Sequence, residues 1–443
     1  MWTFVLVKDD QDDIRMKSHG LRACQDREDC CLVVFVCLLI VSISSATMCD
    51  NYVEEGAAEA LQKVAEGNVH FTTSLYKAVS SKDGNVLISP VSVELVLALA
   101  YMGAAGSTAE QIASALHLPL DREDVKTGFA ALLGSLKSSE DMTLEIANKV
   151  FSQINYSILP EYRAVAEKFF LSGAQELDFA DGEGSRKVIN SWVESKTNNK
   201  IKDLIPSGVL NDLTRLVLVN AVYFKGLWHS PFSAANTVPN EFHLSSRESK
   251  MVPMMCKTDD FGYLTSQELD ADILEMPYKD QKVSMFIILP HDVDGISKLE
   301  EKLASENLTK VLLRLPKRKV RVSVPKFKLE ETTDLKNILK ELGMTSMFLP
   351  LEADFSGISG HTDLYVSKVM QKAFIDVNEE GSEAAAATAG VKRNKRSLTS
   401  REIHEFITNH PFVFFVHERQ KNLTLFVGRV VKPVGIGVHH DEL

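Results

Sequence analysis

The chain has 443 residues, of which 45% are hydrophobic and 25% are charged, with a net charge of −11 at pH 7. This size and composition allow a large buried core, arranged as one large mixed domain or as two ordinary ones. The negative charge argues against nucleic acid or heparin as the main partner. Basic residues cluster only at 392–396 and at 317–321, and we interpret the second run as an exposed strand entry.

A polar and mildly acidic segment, residues 1–29, is followed by the almost wholly apolar stretch Cys30 to Ile43. This stretch is too short to span a bilayer comfortably, so we predict no stable membrane span. It fits the apolar core of a secretory signal peptide that is cleaved near Ala46. Because the flank before it is not clearly positive, a start at Met16 and a signal anchor stay as alternatives.

The chain ends in an HDEL retrieval signal, His440-Asp441-Glu442-Leu443. This signal is read by a receptor of the endoplasmic reticulum, and it acts only in a chain that enters the secretory route. Together, the two signals predict a location in the lumen of the endoplasmic reticulum and the early secretory pathway, with partial secretion left open. We expect a monomer. The predicted organisation is an N-terminal segment 1–46, a single domain 47–438 and a tail 439–443.

Six cysteines are present, and signal cleavage would leave only Cys49 and Cys256. Two cysteines do not make a disulfide scaffold, and a single bridge between them and two free thiols both stay open. Cysteines and histidines show no metal-ligand spacing, so we predict neither a metal nor a cofactor.

Three Asn-X-Ser/Thr sequences are candidate glycosylation sites, at Asn155, Asn307 and Asn422. Asn307 lies in a polar turn and is the strongest candidate. Asn422 lies in a tight turn between strands, where we expect poor access.

The first half of the domain is predicted to be mostly helical. Apolar spacing predicts a helix over Ala57–Ser81, followed by a short strand over Asn85–Ile88. Ser89-Pro90 then begins a buried helix, with serine as the N-cap and proline at the first helical position. Further elements are predicted as a helix from Ser107, a strand over Met142–Ser152 and a helix over Gly184–Ile205.

The second half is predicted to be rich in strands. Leu213–Phe224 is almost continuously apolar, which indicates a central strand buried on both faces. Asn220 inside this strand is expected to tie neighbouring strands together, because a buried amide needs partners. Further predicted elements are a helix over Thr332–Leu342 and strands over Val283–Leu289, Val320–Leu329, Asp363–Asp376, Phe412–Val416 and Leu423–Val431.

The stretch from Glu379 to Leu398 combines an acidic hinge, a run of small residues and the basic cluster. With the period of a strand, one face of the run has no bulky or charged side chain: Ser382, Ala384, Ala386, Thr388 and Gly390. Because no proline lies between Gly381 and Leu398, this segment is able to enter the middle of a sheet. Alanine and glycine are poor strand formers, so a helix or a linker is the alternative.

Several motifs occur in a characteristic order: NVLISPVS (85–92), WVESKTNNKI (192–201), NAVYFKGLW (220–228), EGSEAAAAT (380–388), HPF (410–412) and FVGRV (426–430). They resemble those of the serpin superfamily, and the resemblance runs from about Glu54 to Gly435. The resemblance implies an α+β serpin fold with three sheets and about eight or nine helices. It also implies a reactive-centre loop, here about 379–400, exposed at one pole.

The implied activity is that of a suicide-substrate inhibitor, not of an enzyme. A serine protease attacks a bait bond in the loop and forms an acyl-enzyme, and the cleaved loop inserts as a new strand before deacylation. The implied insertion hinge comprises Glu380, Gly381, Ser382, Glu383, Ala384, Ala385, Ala386, Ala387 and Thr388.

The resemblance also implies two regions beneath the opening sheet. Ser89, Ser92 and Asn220 match the shutter, and Gln371 stands where family members often have a histidine. Glutamine can still form hydrogen bonds, so we expect the shutter to be tuned and not lost. Trp228 matches the breach, where insertion begins.

The basic cluster indicates the target. Arg393-Asn394-Lys395-Arg396 has the Arg-X-Lys-Arg pattern of furin-like proprotein convertases, whose acidic subsites would pair with Arg393, Lys395 and Arg396. We place the bait bond at Arg396–Ser397. The usual spacing of the family would place it at Lys395–Arg396, and a trypsin-like protease could cut either bond.

The whole pattern resembles the serpins of the endoplasmic reticulum that inhibit convertases. One alternative is a non-inhibitory chaperone like the collagen-binding serpin, which departs from the small-residue hinge that this chain keeps. Another is a convertase substrate that is cut without trapping the protease.

Overall fold

The computed structural model describes residues 2–8, 14–20, 56–136, 138, 141–304, 315–382 and 402–433. The chain divides into two compact units, Met1–Ala57 and Ala58–Leu443. In the first unit, Trp2–Lys8 (β1) and Ile14–Gly20 (β2) form an antiparallel hairpin. The predicted signal segment, Cys30 to Ile43, lies outside the described residues.

Nine α-helices occur within the described residues, in agreement with the expected number. They are 56–79 (α1), Pro90–Gly103 (α2), Gly106–Leu116 (α3), Arg122–Ser135 (α4), Pro160–Phe170 (α5), Gly182–Lys196 (α6), Ile296–Leu303 (α7), Lys336–Glu341 (α8) and Ser356–Ser359 (α9). Helix α2 is buried along nearly its whole length because its residues, Ser92 and Glu94 apart, are apolar on nearly all sides.

A six-stranded sheet carries the candidate site. Its strands are Met142–Gln153 (β4), Gly173–Leu177 (β5), Leu216–Leu227 (β6), Phe327–Asp334 (β12), Val366–Val377 (β13) and Gly381–Ser382 (β14). Their order is β12-β13-β14-β6-β4-β5, and β13 also pairs directly with β6.

A nine-stranded sheet packs behind it. Its strands are Val86–Ile88 (β3), Thr237–Ser245 (β7), Glu248–Ser266 (β8), Ala271–Pro277 (β9), Val283–Pro290 (β10), Lys317–Pro325 (β11), Ile403–Ile407 (β15), Phe412–Glu418 (β16) and Leu423–Val430 (β17). The order is β15-β11-β8-β9-β10-β16-β17-β3, with β7 on the side of β8.

Strand β6 is buried on both faces, as its continuous apolar sequence predicts. Alternate residues such as Leu218 and Val222 join the core cluster that contains α2. The intervening residues, such as Val219 and Tyr223, join a second cluster with α6.

Three predicted elements differ from the structure. Val320–Leu329 is not one strand but the end of β11 and the start of β12, in different sheets, separated at Lys326. Pro325, which cannot donate to a ladder, ends β11. The predicted helix over Thr332–Leu342 begins only at Lys336, because β-branched Thr332 and Thr333 continue β12.

The third difference lies at the end of α6. The predicted helix over Gly184–Ile205 stops at Lys196, because Asn198 and Asn199 both take left-handed backbone angles. Ile201 and Ile205 still reach the core, which explains the helical appearance of their spacing.

No helix in the described part of the chain is long and apolar enough to cross a bilayer. Within the same residues, no group of three or more histidine, cysteine or acidic side chains is placed to hold a metal ion.

Candidate loop-insertion site

The candidate site is the boundary between β13 and β6, which we call the seam. The two strands pair in parallel from Val366 opposite Leu216 to Ile375 opposite Phe224. Beyond that point β14 lies between them, with Ser382 opposite both Gly226 and Val377. The first residues of the predicted hinge therefore already lie in the sheet as the start of a strand.

Glycine is required where this strand begins. Gly381 has φ +152°, and a Cβ atom there would lie 1.9 Å from the carbonyl oxygen of Gly226. At Gly226, a Cβ atom would approach the Tyr278 ring to 2.7 Å. The close backbone approach of β14 to β6 thus depends on glycine at position 381, and glycine at position 226 leaves room for the Tyr278 ring.

Ser382 is completely buried, and its Oγ lies 2.9 Å from the Tyr278 hydroxyl. The Tyr278 ring stacks on Trp228 with centroids 4.6 Å apart and 15° between the planes. Burial raises the pKa of Tyr278 well above its usual value, so the hydroxyl stays neutral as a hydrogen-bonding group.

Trp228 anchors the turn between β13 and β14. Its indole Nε1 donates to the Asn378 carbonyl at 2.9 Å, and its backbone N–H donates to the Glu380 carbonyl at 2.8 Å. Phe232 N–H donates to the Glu379 carbonyl at 2.8 Å. We call this region, Trp228 with Tyr278 and residues 378–382, the breach.

Two remote side chains hold Glu379 in the breach. Lys326 Nζ lies 2.9 Å from one carboxylate oxygen of Glu379, and Thr237 Oγ1 donates to the other at 2.7 Å. Burial acts to raise the pKa of Glu379, but the hydrogen bonds from Lys326 and Thr237 outweigh it, so the pKa lies below its usual value. Glu379 is therefore ionised at neutral pH and fixes the base of the hinge.

The shutter lies further down the seam, where Gln371 and Asn220 are direct partners in the parallel pair. Gln371 Nε2 donates to Asn220 Oδ1 at 2.5 Å. Gln371 also binds the Ser89 backbone twice, because it accepts from the N–H and donates to the carbonyl, both at 3.1 Å. Both amides are buried, so this network joins the two strands to the start of α2.

Asn220 completes the network on the other side. Its Nδ2 donates to the Ser92 carbonyl at 3.0 Å and contacts the Ser92 hydroxyl and Asn148 Oδ1. Ser89 occupies the N-cap position, but its hydroxyl does not cap α2 and donates instead to the Leu425 carbonyl at 2.6 Å. The residue predicted as a helix cap thus ties α2 to the nine-stranded sheet.

Some predicted residues have no described structure. These are Cys49, Asn307, hinge residues Glu383 to Thr388, target residues Arg393, Lys395, Arg396 and Ser397, and the HDEL tail. Within the described residues Cys256 has no disulfide partner, and it is half-buried with Sγ 3.4 Å from the Ser323 hydroxyl.

Tyr278, Lys326 and Thr237 were not predicted as site residues. Each lies on a strand or strand end far from the hinge in sequence, so only the sheet topology brings it to the breach. The one available signal was Pro325, which marks the strand break before Lys326.

Comparison with known proteins identifies the family. The sequence model of the serpin family (serine protease inhibitor) matches residues 66–433. Human Serpin B4 is 40% identical over 393 residues, which cover 84% of this chain and all of that relative. The mouse leukocyte elastase inhibitor A is 37% identical over 383 residues, which also cover 84% of this chain and all of that relative. The crystal structure of Serpin48, a highly specific serpin of the insect Tenebrio molitor, superposes with a TM-score of 0.77 at 37% identity and covers 84% of this chain and 99% of that one. The chain therefore has the serpin fold and belongs to the serpin family of serine protease inhibitors.

Proposed function

We propose that this serpin inhibits furin-like proprotein convertases of the early secretory pathway, through cleavage at Arg396–Ser397 and insertion of the loop into the seam. The observation that carries the proposal is the position of Gly381 and Ser382. They are hydrogen-bonded between β13 and β6 as the first residues of an additional strand. A cleaved loop has only to continue a strand that has already begun.

The register of this continuation follows from the two ladders. Because β14 is antiparallel to both neighbours, Ala384 would come to lie opposite Phe224 and Ile375. These two residues now pair with each other, so both ladders give the same register. Ala386 would then lie between Val222 and Ala373, which are also current partners.

Four residues beyond Ala384, the same register brings Thr388 between Asn220 and Gln371. Insertion must break the hydrogen bond between these two amides, and a buried amide without a partner is costly. The threonine hydroxyl can donate and accept, so it is suited to replace the lost bond. The small-residue face of the loop also fits, because Ser382, the first residue of that face, is fully buried in the seam.

The convertase target rests on the sequence of the loop. A protease that selects Arg-X-Lys-Arg needs carboxylates in its subsites, and Arg393, Lys395 and Arg396 supply the matching charges. The terminal HDEL sequence supports a location in the early secretory pathway, where convertases mature, and a retrieval receptor as a second partner.

The test mixes purified 47–443 protein with furin, followed by a denaturing gel and intact-mass analysis. We expect a band at the summed mass that survives boiling, together with release of a peptide that begins at Ser397. A peptide that begins at Arg396 would move the bait bond to Lys395–Arg396. Cleavage without the complex would identify a substrate. No cleavage by furin would overturn the convertase target, and trypsin would then be tried in the same assay.

A chaperone role predicts a different outcome. A chaperone serpin would bind a client without cleavage, and the seam would not need to accept the loop. The entry of β14 into the seam therefore favours the inhibitor.

A further inference from the structure

The structure separates the candidate glycosylation sites. Asn155 lies in a turn that follows β4, closed by the Tyr156 N–H, which donates to the Gln153 carbonyl at 2.9 Å. The side chains of Asn155 and Ser157 are both exposed, and neither forms a hydrogen bond with the described part of the chain. An acceptor amide and the hydroxyl two residues on are thus both free toward solvent.

The residue between them is held firmly. The Tyr156 hydroxyl donates to Asp363 Oδ2 at 2.9 Å, and its ring meets His361 edge-on with centroids 5.9 Å apart. The turn therefore presents Asn155 and Ser157 outward, while Tyr156 fixes the turn to the segment before β13. A glycan attached to Asn155 would project into solvent and displace no packed side chain.

Asn422 is more enclosed. It is half-buried and takes a left-handed backbone angle (φ 60°) in the tight turn between β16 and β17, and its Oδ1 is shielded from solvent. Thr424, the hydroxyl residue of its acceptor sequence, is buried, and its hydroxyl lies 3.3 Å from His417 Nδ1. The hydroxyl of this acceptor sequence is therefore packed inside the hairpin, unlike that of Ser157.

The position of Asn155 also bears on the inhibitory reaction. Strand β4 runs from Met142, opposite Gly226 at the breach, to Ser152, opposite Leu216 at the other end of the seam. At about 3.3 Å per residue, Asn155 therefore lies on the order of 40 Å from the level of the breach. A glycan there leaves the pole that carries the loop accessible to a protease.

We propose that Asn155 carries an N-linked glycan, that Asn422 does not, and that the glycan leaves attack on the loop unaffected. This proposal rests on the proposed secretory route. The signal peptide, the HDEL sequence and the loop do not determine which of the candidate asparagines is modified.

The test expresses the full chain in a secretory eukaryotic cell and measures the intact mass before and after removal of N-glycans. We expect Asn155→Gln and Ser157→Ala each to lose one glycan, the matched variant Ser157→Thr to keep it, and Asn422→Gln to lose none. An Asn307→Gln background removes any contribution of the third site. The association rate with the protease should be the same before and after glycan removal.

The N-terminus of the purified chain separates the two possible failures. A chain that starts near Thr47 but has no glycan at Asn155 overturns this inference and leaves the secretory route intact. A chain that keeps its N-terminal segment and has no glycan at any site contradicts the route itself. Loss of a glycan in Asn422→Gln, or a changed association rate after glycan removal, would also contradict the inference.

Discussion

At the breach, β14 already separates β13 from β6, whereas at the shutter the same two strands are joined directly through Gln371 and Asn220. The breach is held by backbone hydrogen bonds around Trp228 and by the charged contact between Glu379 and Lys326. The shutter is held by neutral, buried amides. The seam is therefore already open at the breach, where β14 begins, and is closed by side chains at the shutter, which the inserted loop has to pass.

The largest expected effect is a loss of protease trapping when the breach is blocked at Ser382. Ser382→Arg would bring a charge into a fully buried position beside Tyr278, where burial of an unpaired ion costs several kcal/mol. We expect roughly a tenfold or larger loss of covalent complex, while cleavage of the loop continues. The yield of covalent complex that survives boiling, on a denaturing gel, measures this effect. Ser382→Thr keeps the hydroxyl and is the control, and undiminished trapping by Ser382→Arg would exclude insertion through the seam.

The second effect is a loss of stability when the hydrogen-bond network of the shutter is broken. Asn220→Ala removes the amide that joins Gln371, Ser92 and Asn148, and it leaves buried polar groups without partners. We expect a loss of about 2–4 kcal/mol of unfolding free energy, measured by urea denaturation. Asn236→Ala, at an exposed asparagine, should change the unfolding free energy by less than about 0.5 kcal/mol. Equal stabilities of the two variants would show that the shutter network does not hold the strands.

A buried carboxyl on α2, the helix to which the shutter is bonded, makes the stability of this region depend on pH. Burial raises the pKa of Glu94 to about 8, although a hydrogen bond from Asn68 acts to lower it. The neutral acid is favoured in the fold, so its stabilising contribution is full below pH 4.5 and is lost as pH rises through about 8.

Between pH 6.5 and 8.5, the Glu94 contribution should fall by about 2 kcal/mol, at 1.36 kcal/mol per unit up to the folded pKa. Glu94→Gln removes this contribution, and unfolding at both pH values measures it. His417 titrates outside this window, because burial lowers its pKa to about 4. An identical pH dependence in Glu94→Gln and the parent would contradict the assignment.

The smallest effect is expected at the charged contact of the breach. Glu379→Lys faces Lys326 with a like charge and loses the bond from Thr237. Because Lys326 is partly exposed, we expect a loss of about 1 kcal/mol of unfolding free energy, seen as a melting temperature lower by about 1 °C. The double variant, Glu379→Lys with Lys326→Glu, restores opposite charges at this contact and should recover most of that loss. A double variant no more stable than the single one would show that the contact contributes nothing.

The sequence predicted the parts of the site that carry a local pattern. The apolar run around Asn220 identified β6 and its buried amide. Of the period-two run after Gly381, only Ser382 lies in the described strand β14, so its ability to enter the sheet stays a prediction. Strand β8 escaped prediction because it pairs in turn with β7, β11 and β9, so its burial follows no simple alternation. Likewise, the contact of Lys326 with Glu379 depends on how β11 and β12 divide between two sheets.

Insertion of the loop into the seam is tested most directly by a crystal structure of the protein after cleavage of its loop. We expect a full new strand in the seam, with Ala384 between Phe224 and Ile375 and with Thr388 hydrogen-bonded at Asn220 and Gln371. A cleaved protein in which Gln371 still binds Asn220 directly, with β13 and β6 paired as before, would contradict it.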